Sequence, residues 1–469
     1  MRLLPDKIFD EKQVIALDKT RTKIARRQTA NFYKLFPFTT SQSDSIKGAL
    51  NEWENEFGTF ARRISQEELA TKLFNTEHVM ESLLDQTETN PDNEDEVHAF
   101  YTDLIVKSNG GLNITHPSMY KYIQGNSATK RKLGTYLADL TCEALDAKEL
   151  DEIRAIFETT EHETLLDKMI VRLLPKLKSR KFDNEYALQS AQPMKLLSED
   201  LIYLSKHPQY FLKEANSLMK YYLHFVVSQT TIKINGFELS NWDHPTNLFY
   251  TLSPETTVTS RRKTINSGMS LLSSSSENLF AHELTLAQLS CNTNNKTLND
   301  SKSRIMTYDE IFNEFNELTS EAQNQFLEDV DAQSMRILQY SGLNQDLKKS
   351  ETFNEAVKQL FSTMKTTTPE AAQKRYGDQV KNIANSQFTK RRGRLGYVLS
   401  LNQEMLILLS AVSCKEDRIT FVELLDRLRQ RGVNFDNESA TAFLLMLEKI
   451  NVIDKKSDSG EAQYVKPIL

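Results

Sequence analysis

The sequence predicts a mainly α-helical protein, a multi-lobed helical body closed by a small C-terminal module of helices plus a short β-hairpin. Three observations predict it. Glycine, at 14 of 469 residues, is too scarce for a doubly wound sheet or glycine-rich phosphate loops, while Leu, Lys, Glu and Gln favour helix. Apolar positions recur at the helical period behind capping signatures. The chain's last portion alternates helix and strand signals in a fixed order.

The length suits two to four domains and a sizeable core. A formal net charge of −6 excludes a surface that coats nucleic acid throughout, so any such contact is confined to local basic patches. Cys142, Cys291 and Cys414 are odd in number and far apart, making neither a disulfide framework nor a zinc cluster and fitting a reducing compartment. No apolar run approaches the roughly 20 residues of a membrane span, and the charged start "MRLLPDKIFDEKQ" is no signal peptide. A cytoplasmic protein without membrane contact is expected.

Five segments follow. Residues 1–96 form an N-terminal helical region, where Ser65 and Glu68 make a capping box for a helix over 66–84. The acidic run 85–96 contains Pro91 and reads as a boundary loop. A central helical region spans 97–250, with helices over 128–145 and 210–227. Its interruptions are a Gly-Gly and Pro117 loop over 108–120 and an Asn-Gly hairpin over 230–242. Residues 251–304, rich in Ser, Thr and Asn, bury little apolar surface and read as an insertion or linker, although "ENLFAHELTLAQL" could dock as a short helix. A second helical region covers 305–389. Thr307 with Glu310 boxes one helix start there, and Thr368, Pro369 and Glu370 supply N-cap, N1 proline and first-turn acid to another.

Residues 390–469 form the C-terminal domain. An apolar helix over 402–413 precedes the β-prone Arg418–Thr420 stretch, and Thr420, boxed by Glu423, caps "FVELLDRLRQ" with Phe421, Leu424, Leu425 and Leu428 on one stripe. The chain turns at Gly432, and Asp436 caps a third helix whose buried stripe is Ala440, Phe443, Leu444 and Leu447. Two strands about a Ser-Asp-Ser-Gly turn close the chain. Helix, strand, helix, turn, helix, hairpin is the order of a winged helix. The third helix would face outward with Glu438, Thr441, Leu445 and Glu448. Carboxylates repel a phosphate groove and Leu445 suits a polypeptide, so this face is the candidate partner-binding surface.

The cluster "KRRGR" supplies Lys390, Arg391, Arg392 and Arg394, with no acid between Gln387 and Gln403. It is either a phosphate contact or a solvated lead-in to the next helix. Lys455 and Lys456 on the wing are further candidates for the DNA backbone. Three other basic patches, 21–27, 172–181 and 260–263, read first as solvated surface. No Gly-Lys pair exists for a P-loop, and Gly-x-Ser-x-Gly, His-Glu-x-x-His and Cys-x-x-Cys are absent. No catalytic, cofactor or metal residue is therefore assigned.

The stretches "RRGRLGYVLSLNQEMLILLSAV", "ITFVELLDRLRQRGVNFDNES" and "KKSDSGEAQYVKPIL" resemble the C-terminal region of the DptG (DndG) family of bacterial DNA phosphorothioation-dependent restriction proteins, above all at "RGVNFD" and "KKSDSGEAQYV". The resemblance implies a subunit of a three-component anti-phage restriction machine, and the missing ATP and catalytic motifs make it a non-catalytic adaptor. It would work with DptF-like and DptH-like subunits that look like nucleotide-driven motors, against double-stranded DNA lacking backbone sulfur. Two alternatives stay open. One is a metal-dependent nuclease using the 94–96 acids or Glu161 and Glu163, with Asp146 and Lys148 as more distant elements of such a site. The other is a stand-alone winged-helix regulator.

Overall fold

The computed structural model describes residues 34–40, 46–70, 76–85, 93–107, 112–123, 132–159, 164–174, 176–252, 262–290, 305–343, 345–392, 396–455 and 463–469. The protein is mainly helical, with short strands gathered into small sheets. One hydrophobic core runs through all five segments, taking in Leu35, Tyr222, Leu279, Leu360 and Leu447. A second, smaller cluster joins Met80, Leu83, Tyr101 and Ile105 to Met119 and Ile170.

The central pillar is helix Pro208–Ile234, with proline at its start, where no backbone N–H is needed. From Tyr221 to Thr231 it is buried on every face. Helix Gln192–Ser205 packs beside it. On the N-terminal side, helix Trp53–Ile64 lies against helix Lys132–Ala144. On the other side, helices Phe353–Thr367 and Glu370–Gln387 cover helix Leu279–Leu289.

Several expectations fail. Ser65 is the C-cap of helix Trp53–Ile64, not the start of a helix. Glu67–Leu69 is instead a strand paired antiparallel with Leu177–Ser179, and the next helix begins at Thr76. The acidic run holds the start of helix Glu94–Ile105. The Asn-Gly hairpin is absent: Thr230 to Ile234 continue the pillar and a 3-10 turn, Phe237–Leu239, follows Gly236. Side chains buried on all sides of a helix lose the 3.6-residue pattern, so "TTIKI" alternates without being a strand. Pro369 takes the N-cap position of helix Glu370–Gln387, and Thr368 ends the preceding helix, its hydroxyl donating to Met364 O at 2.7 Å.

The Ser/Thr/Asn-rich segment departs furthest from expectation. Its described part is helical over Arg262–Ile265, Leu271–Ser276 and Leu279–Leu289, with a kink at Gly268 between the first two. Leu272, Ser276, Leu279, Ala281 and Thr285 are fully buried. The hydroxyls are satisfied within the helices: Ser276 donates to Ser273 O and Thr285 to Ala281 O, each at 2.8 Å. Residues 253–261 and 291–304 lie outside the described residues.

At the C-terminus, Asn402 caps helix Gln403–Cys414, Thr420 caps Phe421–Gln430 and Asp436 caps Asn437–Lys449. The Glu423 carboxylate, expected to close a box, pairs with Arg427 at 2.7 Å. Strands Ile419–Thr420, Gln463–Val465 and Ile453–Lys455 form an antiparallel sheet in that spatial order. Strand Val433–Asn434 pairs outside this module, parallel with Leu248–Phe249.

Candidate nucleic-acid and partner interface

The basic cluster is not a lead-in to a helix. Thr389–Arg392 and Gly396–Leu399 form an antiparallel hairpin in which Lys390 faces Val398, Arg391 faces Tyr397 and Arg392 faces Gly396. β-branched and aromatic residues in "YVL" favour an extended chain, and Phe388, Val398 and Leu399 are buried, which fixes the hairpin's base in the core. Ser400 N donates to Phe388 O at 2.9 Å across that base.

A single extended segment ties the hairpin to the C-terminal module. Leu248 and Phe249 pair with Val433 and Asn434. Tyr250 N then donates to Asn434 O at 2.9 Å, Thr251 N to Leu399 O at 2.8 Å, and Leu252 N to Ser439 Oγ at 3.2 Å. Ser439 lies in the first turn of helix Asn437–Lys449. Hairpin and third helix are thus held in one fixed relation by successive backbone donors.

Charge is partitioned between the two. On the module, Arg418 meets Asp454 at 3.3 Å, Lys466 meets the same carboxylate at 3.5 Å, Arg427 meets Glu423 at 2.7 Å and Arg429 pairs with Asp426. Lys415 reaches Glu199 at 2.9 Å. On the hairpin, Lys390 and Arg391 are exposed, and neither has a carboxylate partner among the described residues. Arg392 is half-buried and its Nε lacks a hydrogen-bond partner there. Arg394 and Lys456 lie outside the described residues, and Lys455 ends the strand Ile453–Lys455.

The third helix exposes three of the four residues expected to face outward. Glu438 and Thr441 are exposed and Leu445 is 51% exposed, whereas Glu448 is half-buried. Val422, 66% exposed at the start of helix Phe421–Gln430, adds a second apolar position.

No sequence signal pointed to the buried junction beneath this surface, because its members stand far apart in the chain. Arg431 Nη2 meets Asp200 Oδ1 at 2.6 Å, and the two side chains are 4% and 0% exposed. Tyr222 donates to Asp200 Oδ2 and Tyr221 to Arg431 O, both at 2.5 Å. Burial pushes the Arg431 guanidinium down, but the adjacent Asp200 outweighs it and holds the cation well above its ordinary range. The module is thereby locked to helices Gln192–Ser205 and Pro208–Ile234.

The carboxylates considered for nuclease chemistry have other positions. Asp146 caps helix Ala147–Glu158 in a closed box with Glu149. Asp95 and Glu96 are exposed on helix Glu94–Ile105, and Glu161 and Glu163 lie outside the described residues. Among the described residues no group of three His, Cys, Asp or Glu side chains is placed to hold a metal ion. His116 Nδ1, 2.8 Å from Ser118 Oγ, also accepts the Ser118 N–H and caps the 3-10 helix Pro117–Tyr122. Burial pushes the Cys414 thiol up to about 12 and the Cys142 thiol up to about 11, leaving neither a ready nucleophile. No helix among the described residues is long and apolar enough to cross a membrane. No family model matches the sequence, and no curated protein matches it.

Proposed function

We propose that this chain is a non-catalytic adaptor of the DptG type within a phosphorothioation-dependent restriction complex, presenting a protein-docking helix and a DNA-backbone hairpin in fixed register. The partition of charge carries the reading. On the module Arg418, Arg427, Arg429 and Lys466 pair with its own carboxylates, and Lys415 and Arg431 pair with Glu199 and Asp200, whereas Lys390 and Arg391 on an anchored hairpin have no carboxylate partner among the described residues. On a chain of net charge −6, uncommitted cations on one projecting element are where phosphates would be received. The sheet order of strands Ile419–Thr420, Gln463–Val465 and Ile453–Lys455 supports a winged-helix reading of the module. Glu438 and Leu445 on its third helix favour a polypeptide, in this reading a DptF-like or DptH-like motor subunit.

The test reverses charge at Lys390→Glu and Arg391→Glu together. Three or four neutralised phosphates give a slope of log K against log salt of about −3 on duplex DNA, and loss of two flattens it by about 2. An unaltered affinity and slope would demote the hairpin to solvated surface. Leu445→Asp is expected to weaken capture of the motor subunits while leaving DNA affinity intact. Equal loss of both would show that one surface serves both ligands.

A further inference from the structure

We infer that the hairpin takes unpaired nucleotides, with Tyr397 as a platform on which an exposed base stacks. This rests on the reading of the hairpin as a DNA contact. Tyr397 is 50% exposed although its strand neighbours Val398 and Leu399 are buried. It stands directly across the ladder from Arg391, on the same face of the hairpin. No ring or cation contact occupies it among the described residues.

A cross-strand pair of an aromatic ring and an uncommitted guanidinium offers the two components that single-stranded nucleic acid uses. The cation tracks the phosphate, and the neighbouring π-face accepts the base. In a duplex the base faces are stacked on one another, so an intact helix can engage the cations but not the ring. Tyr397 therefore adds affinity selectively for separated strands, the form of DNA that a strand-separating motor produces. The base of the hairpin is clamped by Phe388 and by the Thr251 N–H to Leu399 carbonyl bond. The ring is thus carried on a fixed support, which limits the ordering cost of binding.

The experiment uses the full chain with a fluorescent oligonucleotide, single-stranded or annealed to its complement, at one salt concentration. A second oligonucleotide carries 2-aminopurine as a stacking reporter. Wild type is expected to prefer the single strand and to quench the 2-aminopurine. Tyr397→Ala should lose about five- to a hundred-fold in single-strand affinity, the range for removing one base–aromatic stack at 1.4 kcal/mol per tenfold. Its duplex affinity should change less than about twofold, and Tyr397→Phe should behave as wild type. Circular dichroism melting establishes that each variant is folded. Equal losses on single strand and duplex, or none on either, with the Lys390→Glu/Arg391→Glu variant still defective, would overturn the stacking role alone. If the charge-reversed protein binds both forms like wild type, the DNA contact falls with it.

Discussion

Arg431 shows how much of this molecule depends on single buried contacts. Its guanidinium is enclosed with Asp200, Tyr221 and Tyr222 and has almost no access to water. Removing one member of such a pair leaves a buried charge uncompensated, which costs more than the intact pair contributes. Asp200→Ala is accordingly expected to lower the unfolding free energy by about 3–5 kcal/mol in urea titrations. Replacing both partners at once, Asp200→Leu with Arg431→Met, should cost much less, and equal losses in the two proteins would contradict the argument. Gly432 beside it has φ +81°, and a Cβ there would collide with the Phe225 ring. Gly432→Ala thus combines backbone strain with a clash and should destabilise by more than about 1 kcal/mol. The position was legible as a turn glycine, but the ring that makes it obligatory belongs to a helix some two hundred residues earlier in the chain.

At the scale of elements, the sequence discloses what is local and hides what is tertiary. Caps are mostly local: Thr307, Thr420 and Asp436 each accept the expected backbone N–H, and Asn402, read as the first residue of its helix, caps it too, although Ser65 and Thr368 do not start the helices expected of them. The C-terminal helix and strand order was readable for the same reason. The basic cluster was visible as charge, but its hairpin was not, because the strands are short and their pairing is decided by Phe388, Val398 and Leu399 entering the core. Composition misled most over 262–276, where small hydroxyl residues suggested a linker, whereas "ENLFAHELTLAQL" does dock as the helix Leu279–Leu289. Serines that bond to the preceding turn's carbonyl keep their hydroxyls satisfied when buried and let neighbouring helices approach closely. Gly377 shows the approach: a Cβ there would run into the Ser276 carbonyl. Leu272→Ala separates the two readings, because Leu272 is fully buried within the Ser-rich stretch itself. A core leucine costs about 2–5 kcal/mol on truncation, whereas a linker position stays within about 0.5 kcal/mol. Denaturant melts of this one variant decide between them.

Over the whole molecule, one continuous core means that buried titratable groups anywhere act on a shared folding equilibrium. His224 sits between Tyr250 and Ser228, 2.9 Å and 3.2 Å from its ring nitrogens, and its ring stacks on Phe388 at the hairpin's base with centroids 4.5 Å apart. His282 lies between Tyr308 and Asn235 at 3.0 Å and 3.3 Å. Neutral imidazole satisfies both settings, with one nitrogen donating and the other accepting. Burial pushes each histidine down to about 3 from 6.5, with Lys365 adding to the effect at His282. Because the unfolded chain binds these protons and the folded one does not, stability falls as pH drops below 6.5, by about 1 kcal/mol per unit for each histidine. Asp139 acts in the opposite sense. Burial raises it to about 6 against the pull of Arg63, so between about 4 and 6 the folded state holds the extra proton and gains stability on acidification. Two groups losing and one gaining leave a net fall of about 1 kcal/mol per pH unit between pH 6 and pH 5. Urea midpoints taken across that interval should follow this slope. His224→Gln, less stable at every pH through its lost stacking, should nevertheless give a nearly flat profile. An undiminished slope in that variant would mean that the proton is taken up elsewhere.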